Sequence, residues 1–229
     1  MIRKILLLII FLFLTLNNYA QDKKQQKESK VKSIKDLTKS SNKFDGLFTI
    51  FQDSINGKLK MVIKKEQFNK EFIYFSQIAD GVTEAGRYRG SYQNEAIFYL
   101  KRYFNRIEFI SPNTNFYFDP NSPLSKSKDA NISEAIFFST KILSEDKANE
   151  LFLIDVDKLF VSEILTRIKR PRRPGSSSST FSLGNFDREK SKIEEIKNYP
   201  ENTNLKTEYV YNNPNYLNSG SEAVTDARN

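Results

Sequence analysis

Short apolar runs separated by turn-forming residues recur along this chain, and they constrain its fold more than any other feature. The runs are built mainly from Phe, Tyr, Ile, Leu and Val, and the chain holds 19 Phe and 11 Tyr. Aromatic and β-branched side chains suit the pleated, half-buried surface of a sheet. Only 8 Gly and 7 Pro are present, which argues against a fibrous or low-complexity chain. We therefore predict a mainly β fold of antiparallel hairpins, with one or two short helices packed against it.

Turn-forming residues place the individual strands. Asn56 and Gly57 lie between apolar runs at 47–51 and 59–63, and both residues tolerate the positive φ angles of a tight hairpin turn. The segment 133–143 is compatible with either a strand or a helix, because short apolar runs do not distinguish the two. The remaining expected elements are strands at 72–78, 95–102, 106–110, 115–118, 151–155 and 205–211, and a short helix within 156–168.

Residues 1–20 have the pattern of a secretory signal peptide. Two basic residues precede an apolar run at 5–16 that is interrupted only by Thr15 and is shorter than the roughly 20 residues that a membrane-spanning helix needs. We expect cleavage between Ala20 and Gln21, which leaves no stable membrane anchor. The protein is then exported to the periplasm, the outer surface or the medium. Because the chain contains no Cys, neither disulfides nor lipidation of a mature N-terminal Cys can contribute.

The net charge of +8 is concentrated near the N-terminus. Residues 21–43 hold eight Lys against three acidic side chains, whereas residues 44–229 carry 26 basic and 25 acidic side chains, a net charge of +1. A Lys-, Gln- and Ser-rich segment buries too little apolar surface to offset its ordering entropy. We therefore predict a disordered Lys-rich linker at 21–43 and a single β-rich module at 44–229. Export and the nearly neutral module also argue against a nucleic-acid partner.

The lack of both His and Cys excludes most catalytic chemistry. Ser-His-Asp triads, thiol nucleophiles and the commonest zinc sites all require one of these residues. Ser125 and Lys128 have the Ser-x-x-Lys spacing of penicillin-recognising enzymes, but no Lys-Thr-Gly or Ser-Asp-Asn element accompanies them, so we interpret the match as chance. We predict no catalytic, cofactor-binding or metal-binding residue in this chain.

Asp155 and Asp157 form the clearest pair of carboxylates. They could act as an acid–base pair if their surroundings separated their pKa values, or supply two of the oxygens of a calcium site. The favoured interpretation is that they cap the N-terminus of the following helix, where negative charge is stabilised.

Basic residues supply the candidate surface-binding site. Arg87 and Arg89 flank Tyr88 in a Gly-rich loop, an arrangement of cations and an aromatic ring that can hold a polymer. Such a site would dock an anionic envelope polymer or an acidic protein, and the competing interpretation is a solvated loop. The candidate site also includes the one dense cluster of basic residues in the module, which comprises Lys169, Arg170, Arg172 and Arg173.

Several short motifs follow one another in a defined order along the chain. They are Gly46-Leu47-Phe48-Thr49, the Asn56-Gly57 hairpin, Glu71-Phe72-Ile73, Arg89-Gly90, Ser111-Pro112-Asn113, Ser133-Glu134-Ala135-Ile136 and the segment 196–202. This order resembles the N-terminal region, itself of unknown function, of large secreted zinc-dependent metalloproteases of Bacteroidetes-type bacteria. The resemblance covers residues 44–229, and the end of the signal, Tyr19-Ala20-Gln21, suits that origin.

The resemblance implies a function that this chain does not perform alone. Members of the family continue into a domain with a His-Glu-x-x-His helix, whose histidines bind zinc and whose Glu acts as base. Since this sequence has no such motif, we expect a truncated, inactive N-terminal module whose partner is the downstream protease domain, where the zinc would lie. The module would support or cover that domain or position its substrate. The alternative is a stand-alone exported β-rich protein that binds an envelope component or polymer.

Overall fold

Antiparallel strands make up most of the structure. The computed structural model describes residues 32–127, 132–169, 183–213 and, for the backbone alone, 226–228. The helices are α1 (Ile34–Leu37) and α2 (Asp157–Phe160), with 3-10 turns at Lys65–Gln67, Thr83–Ala85 and Pro123–Ser127. The strands are β1 (Ser41–Phe44), β2 (Thr49–Asp53), β3 (Leu59–Lys64), β4 (Glu71–Gln77), β5 (Tyr92–Tyr103), β6 (Arg106–Ser111), β7 (Ala135–Asp146), β8 (Leu151–Asp155), β9 (Asn185–Tyr199), β10 (Asn202–Asn212) and β11 (Asp226–Arg228). The predicted fold class, mainly β with one or two short helices, is confirmed.

The strands described here form two antiparallel sheets within one compact unit, Ser33–Asn229. The larger sheet has the order β1-β2-β3-β8-β7-β6-β5-β4, so that β1 and β4 are its two edges. The smaller sheet has the order β11-β10-β9. Most neighbouring strands are also consecutive in sequence, which is the expected outcome of hairpins joined by short turns.

The hairpin predicted at Asn56 and Gly57 is present, and the predicted strands at 95–102 and 106–110 also form a hairpin. Between β2 and β3, Gly57 has a φ of 71° and donates its N–H to the Asp53 carbonyl at 2.9 Å. Between β5 and β6, the turn falls at Phe104 and Asn105, and Phe104 has a φ of 49°. The ambiguous segment 133–143 proves to be a strand, because its apolar residues pair with β6 and β8 inside the sheet.

One face of the larger sheet, here called the inner face, carries the main core. Its side chains alternate with outward-facing ones along each strand, as the pleat requires. The hairpin of β9 and β10 closes this core with Ile193, Ile196 and Leu205. A second, smaller cluster joins Ile78 and Ile168 to the ring of Tyr211. Members of the main core include Ile50, Met61, Ile63, Phe98, Leu100, Ile107, Phe109, Phe138, Phe152 and Ile154.

Two predicted elements after β6 are wrong or shortened. Residues 115–118 form no strand. Phe116 and Tyr117 are both exposed, so the apolar side chains that suggested a strand are not packed within a sheet. The predicted helix at 156–168 is reduced to the single turn of α2. It ends because the Ser162 hydroxyl bonds to the Lys158 carbonyl and accepts the N–H of Ile164, which offers the backbone an alternative to helical bonds.

Regular structure begins earlier than the sequence predicts. Within the expected linker 21–43, helix α1 starts with a capping box in which Ser33 and Asp36 each accept the other's backbone N–H. Strand β1 then pairs with β2. Disorder is therefore wrong for 33–43, because pairing with β2 and the packing of Phe44 against the main core stabilise β1. The rest of the linker, 21–31, and the predicted signal peptide lie outside the described residues.

Candidate functional site

Strand β4 is apolar on both of its faces. Phe72 and Tyr74 point to the inner face and pack against the main core. The alternate residues Ile73 and Phe75 point to the opposite, outer face, where 76% and 63% of their surfaces are exposed. An antiparallel strand with one solvated face normally places polar residues there. The exposed pair on this edge strand is therefore a candidate contact surface.

The neighbouring strands extend this apolar surface. On β5, Ile97 lies opposite Ile73, and the Tyr92 ring lies 6.1 Å from the Phe75 ring. Contiguous apolar surface of this kind is typical of a contact site. We call the whole set the outer apolar face, and its exposed or half-buried members are Ile73, Phe75, Tyr92, Ile97, Tyr99 and Ile136, with Ile110 buried between Tyr99 and Ile136.

Carboxylates border the outer apolar face. Glu71 and Glu95 are exposed and lie opposite Tyr99 and Phe75 in the β4–β5 register. The Tyr99 hydroxyl donates a 2.5 Å hydrogen bond to Glu134. Desolvation, reinforced by this bond to Glu134, raises the pKa of Tyr99 to about 12. The rim is therefore acidic, and Tyr99 stays a neutral hydrogen-bond donor at physiological pH.

The other half of the same sheet face is in contact with α1. Val62 of β3 and Leu153 of β8 point outward and lie opposite one another, yet both are buried. Lys60, on the same face, donates from Nζ to the Leu37 carbonyl at the end of α1 at 3.0 Å. The helix thus lies against this part of the sheet through β3 and β7, whereas no such contact of a described helix is seen on β4 and β5.

Arg87, predicted to bind at the surface, is buried instead. Its guanidinium donates to Gln93 Oε1 and to the Ile168 carbonyl, and more weakly to the Arg167 carbonyl at 3.4 Å. These contacts tie the Gly-rich loop to the segment after α2. The surface-binding role predicted for Arg87 is wrong, because its charged group is committed to neighbouring protein groups.

The same region holds a second, partly buried polar contact. The Glu163 carboxylate accepts the Tyr211 hydroxyl at 2.7 Å and the N–H groups of Ile168 and Lys169 at 3.1 and 3.2 Å. Burial, followed by the bond to Glu163, raises the pKa of Tyr211 above its ordinary range. Burial raises the pKa of Tyr209 to about 12. These tyrosines therefore act as neutral donors that fix the segment after α2 onto β10.

Some of the other predicted basic residues lie within the described part of the chain and some lie outside it. Arg89 is exposed beside Tyr88, which is 61% exposed. Lys169 is also exposed, and its Nζ donates to the Gly184 carbonyl at 2.5 Å. Since Arg87 bonds to the residue before Lys169, the structure brings the two predicted basic segments together. The remaining members, Arg170, Arg172 and Arg173, lie outside the described residues.

The carboxylate pair after β8 has a structural role. Asp155 accepts the N–H of Asp157, the first residue of α2, at 3.0 Å, but the N-cap position itself is occupied by Val156, which provides no side-chain cap. The Asp157 carboxylate, however, accepts the N–H of Leu59 at 3.3 Å and pairs with Arg188. It therefore links β3 to β9 and is not held for acid–base work.

The other chemical candidates give no site in the part of the chain that the structure covers. Ser125 Oγ donates to the Ser122 carbonyl at 2.8 Å, and Lys128 lies outside the described residues. No group of three or more acidic side chains there is arranged to hold a metal ion. The described helices are all too short or too polar to cross a membrane. That the chain binds no cofactor stays a prediction.

The outer apolar face was missed at the level of sequence, although a signal for it exists. Residues 72–75 form an uninterrupted apolar run, Phe-Ile-Tyr-Phe, without the polar residues at alternate positions that a half-exposed strand shows. Such a run is typical of a strand covered on both faces. The structure places it at an edge, with one face bare.

Comparison with known proteins identifies one family. A family model described as Domain of unknown function (DUF5117) matches residues 90–228, from the end of the Gly-rich loop through β11. No curated protein and no solved structure matches the chain.

Proposed function

Since the chain belongs to the DUF5117 family, we propose that it is a non-catalytic N-terminal module of a secreted zinc-dependent metalloprotease. The module supports or covers the protease domain, or positions its substrate. The observation that carries the proposal is the outer apolar face, which offers an apolar centre with an acidic rim for another domain to cover. The link to a metalloprotease comes from the motif resemblance over 44–229.

Ligand chemistry favours a catalytic zinc in another domain. Zinc sites in proteins are built mainly from imidazole and thiolate groups. This chain has neither His nor Cys, and the described residues offer no acidic cluster that could replace them. The donor set therefore does not fit a zinc site, and we assign this chain a binding and positioning role.

Docking can be tested by adding a His-Glu-x-x-His catalytic domain of the resembled family to the purified full chain. We expect the domain to raise the thermal midpoint of the chain by mass action, because it binds the folded state. Tyr92→Lys and Ile136→Lys place charges on the outer apolar face and should abolish the rise. Ile55→Lys is the matched control, since Ile55 is 85% exposed on the β2–β3 turn, away from this face.

Two results would overturn the proposal. One is a thermal midpoint of the wild-type chain that does not change at any concentration of the catalytic domain. The other is zinc-dependent peptide cleavage by the chain alone that survives removal of metal and repurification. Loss of the effect in the Ile55→Lys control would also contradict docking at the outer apolar face.

Export is a separate part of the proposal, and mass spectrometry of the protein made in its natural host tests it. We expect a mature N-terminus at Gln21, in part cyclised to pyroglutamate, because the apolar run 5–16 is short and is followed by Ala20. Intact Met1 in the membrane fraction would contradict export by cleavage.

A second candidate function is binding of an anionic envelope polymer. The observation that favours it is the proximity of two exposed basic segments, Arg89 with Tyr88 and Lys169, held together by buried Arg87. Lipopolysaccharide retained on the protein at low salt and released at higher salt would support it. The double variant Arg89→Ala/Lys169→Ala should then lose retention, whereas Lys58→Ala/Lys147→Ala, which removes the same charge at other exposed positions, should keep it.

A further inference from the structure

The two edges of the larger sheet differ in how they avoid pairing with other chains. Strand β1 has only four residues, carries Lys43 and contacts β9. Short length and a Lys are common protections of an edge strand. Strand β4 has seven residues with neither Lys, Arg nor Pro, and the described residues provide no strand beside its outer edge. Its outward backbone N–H and C=O groups are therefore suited to accept another strand.

We propose that this edge pairs antiparallel with β4 of a second copy of the chain. Pairing about a two-fold axis at Tyr74 places Ile73 of each copy opposite Phe75 of the other. A β-branched residue opposite an aromatic one is a favourable cross-strand pair. The same register places Glu71 opposite Gln77, so that no two carboxylates face each other. In this register the apolar residues of one copy thus face apolar residues of the other, on the same side of the sheet, and the charged residues face neutral ones.

Registers shifted by two residues are less favourable. One shift places Glu71 opposite Phe75 and removes both aromatic–aliphatic pairs, and the shift in the other direction places Ile73 opposite Gln77. Only the register centred on Tyr74 keeps both apolar residues of each copy paired with apolar residues. Two-fold symmetric contacts that pair one surface patch with itself are also the commonest form of oligomer.

We expect a weak, reversible dimer. Pairing one strand with another buries less than the roughly 1,200–2,000 Å² of stable protein interfaces. The two outer apolar faces then become continuous across the pair. This inference concerns assembly of the chain alone and does not depend on a protease domain.

Sedimentation equilibrium of the full chain across a wide concentration range tests assembly. We expect a monomer–dimer equilibrium that Phe75→Lys weakens by about tenfold or more, because a Lys at the edge opposes strand addition. Ile55→Lys, with the same change at an exposed residue outside the edge, should leave the equilibrium unchanged. Tyr92→Lys and Ile136→Lys should also leave it unchanged, which separates this test from that of domain docking.

The absence of Cys from the chain allows a second test, of the register itself. Directly opposite residues in antiparallel strands have Cα atoms about 4.5–5.5 Å apart, within the range that a disulfide spans. Mixed Ile73→Cys and Phe75→Cys chains should therefore cross-link on mild oxidation, with much less product from either variant alone or from Ile55→Cys. A monomer at all concentrations, a dimer unaffected by Phe75→Lys, or equal cross-linking by all variants would overturn the proposal. A monomer whose β4 edge instead binds a peptide from another protein would overturn it as well.

Discussion

The Tyr211 hydroxyl donates a 2.7 Å hydrogen bond to the Glu163 carboxylate, and this contact anchors the segment after α2 to strand β10. The Tyr211 ring is completely buried, so bulk water does not compete for the bond. Glu163 also accepts two backbone N–H groups, from Ile168 and Lys169, which would otherwise need partners in the turn. One carboxylate thus organises the region where the predicted basic segments meet.

Tyr211→Phe should lower the free energy of unfolding by about 2 kcal/mol, because it removes a hydrogen bond to a charged acceptor while keeping the ring. Chemical denaturation measures the change. Tyr117→Phe is the control, since Tyr117 is 87% exposed and its hydroxyl is free to bond to water. Equal stability of Tyr211→Phe and the wild type would show that the bond contributes nothing.

Alkaline pH should destabilise the protein through its buried tyrosines. Burial raises the pKa of Tyr209 to about 12 from an ordinary value near 10, so the folded state holds the proton more tightly than the unfolded state. The contribution of Tyr209 to the free energy of unfolding is complete below about pH 10. It is lost as the pH rises towards about 12, and the loss amounts to roughly 3 kcal/mol. Burial also raises the pKa of Tyr211, which shifts stability in the same direction.

Denaturation at a series of pH values from neutral to strongly alkaline measures this effect. Tyr209→Phe should lower stability at neutral pH, because it loses bonds to the Phe160 and Ser162 carbonyls at 2.9 and 2.7 Å. It should also reduce the slope of stability against pH, whereas Tyr88→Phe, with an exposed ring, should not. An unchanged slope in Tyr209→Phe would contradict the assignment.

Elements with both an apolar pattern and a turn signal could be predicted from the sequence. The hairpin around Gly57 and strand β8, Leu151–Asp155, are of this kind. Strand β1 was missed because it is stabilised by pairing with β2, which leaves no periodic apolar residues to detect. The outer apolar face at Ile73 and Phe75 was missed because sequence shows the apolar run but not that β4 ends the sheet.

Gly46→Ala should destabilise the contact between the β1–β2 connection and the β9–β10 turn. A Cβ at position 46 would overlap the Asn198 side chain and lie 2.7 Å from the Tyr199 carbonyl oxygen. Asn198 cannot move away freely, because its Nδ2 donates to the carbonyls of Phe44 and Phe48 at 2.8 and 2.6 Å. Overpacking of this kind costs about 1–3 kcal/mol.

Thermal unfolding of Gly46→Ala beside Asp45→Ala tests this contact. Asp45 is exposed, and its ion pair with Lys43 is also exposed, so its removal should change stability little. A midpoint for Gly46→Ala equal to that of the wild type would mean that Asn198 and its partners adjust at no cost.

Arg87 and Arg89 lie two residues apart, and replacing each of them by Ala should have opposite effects on stability and on binding. Arg87→Ala leaves the Ile168 carbonyl and Gln93 without their cationic donor in a buried setting, and bonds to charged groups contribute about 1.5–3 kcal/mol each. We expect the free energy of unfolding to fall by at least about 2 kcal/mol. Arg89→Ala, at an exposed position, should stay within about 0.5 kcal/mol of the wild type.

Since polymer binding is assigned to Arg89 and Lys169, retention of lipopolysaccharide would show the reverse order, with Arg89→Ala impaired and folded Arg87→Ala less affected. An Arg87→Ala protein with wild-type stability and lost retention would restore Arg87 as a surface-binding residue and contradict its buried bonds.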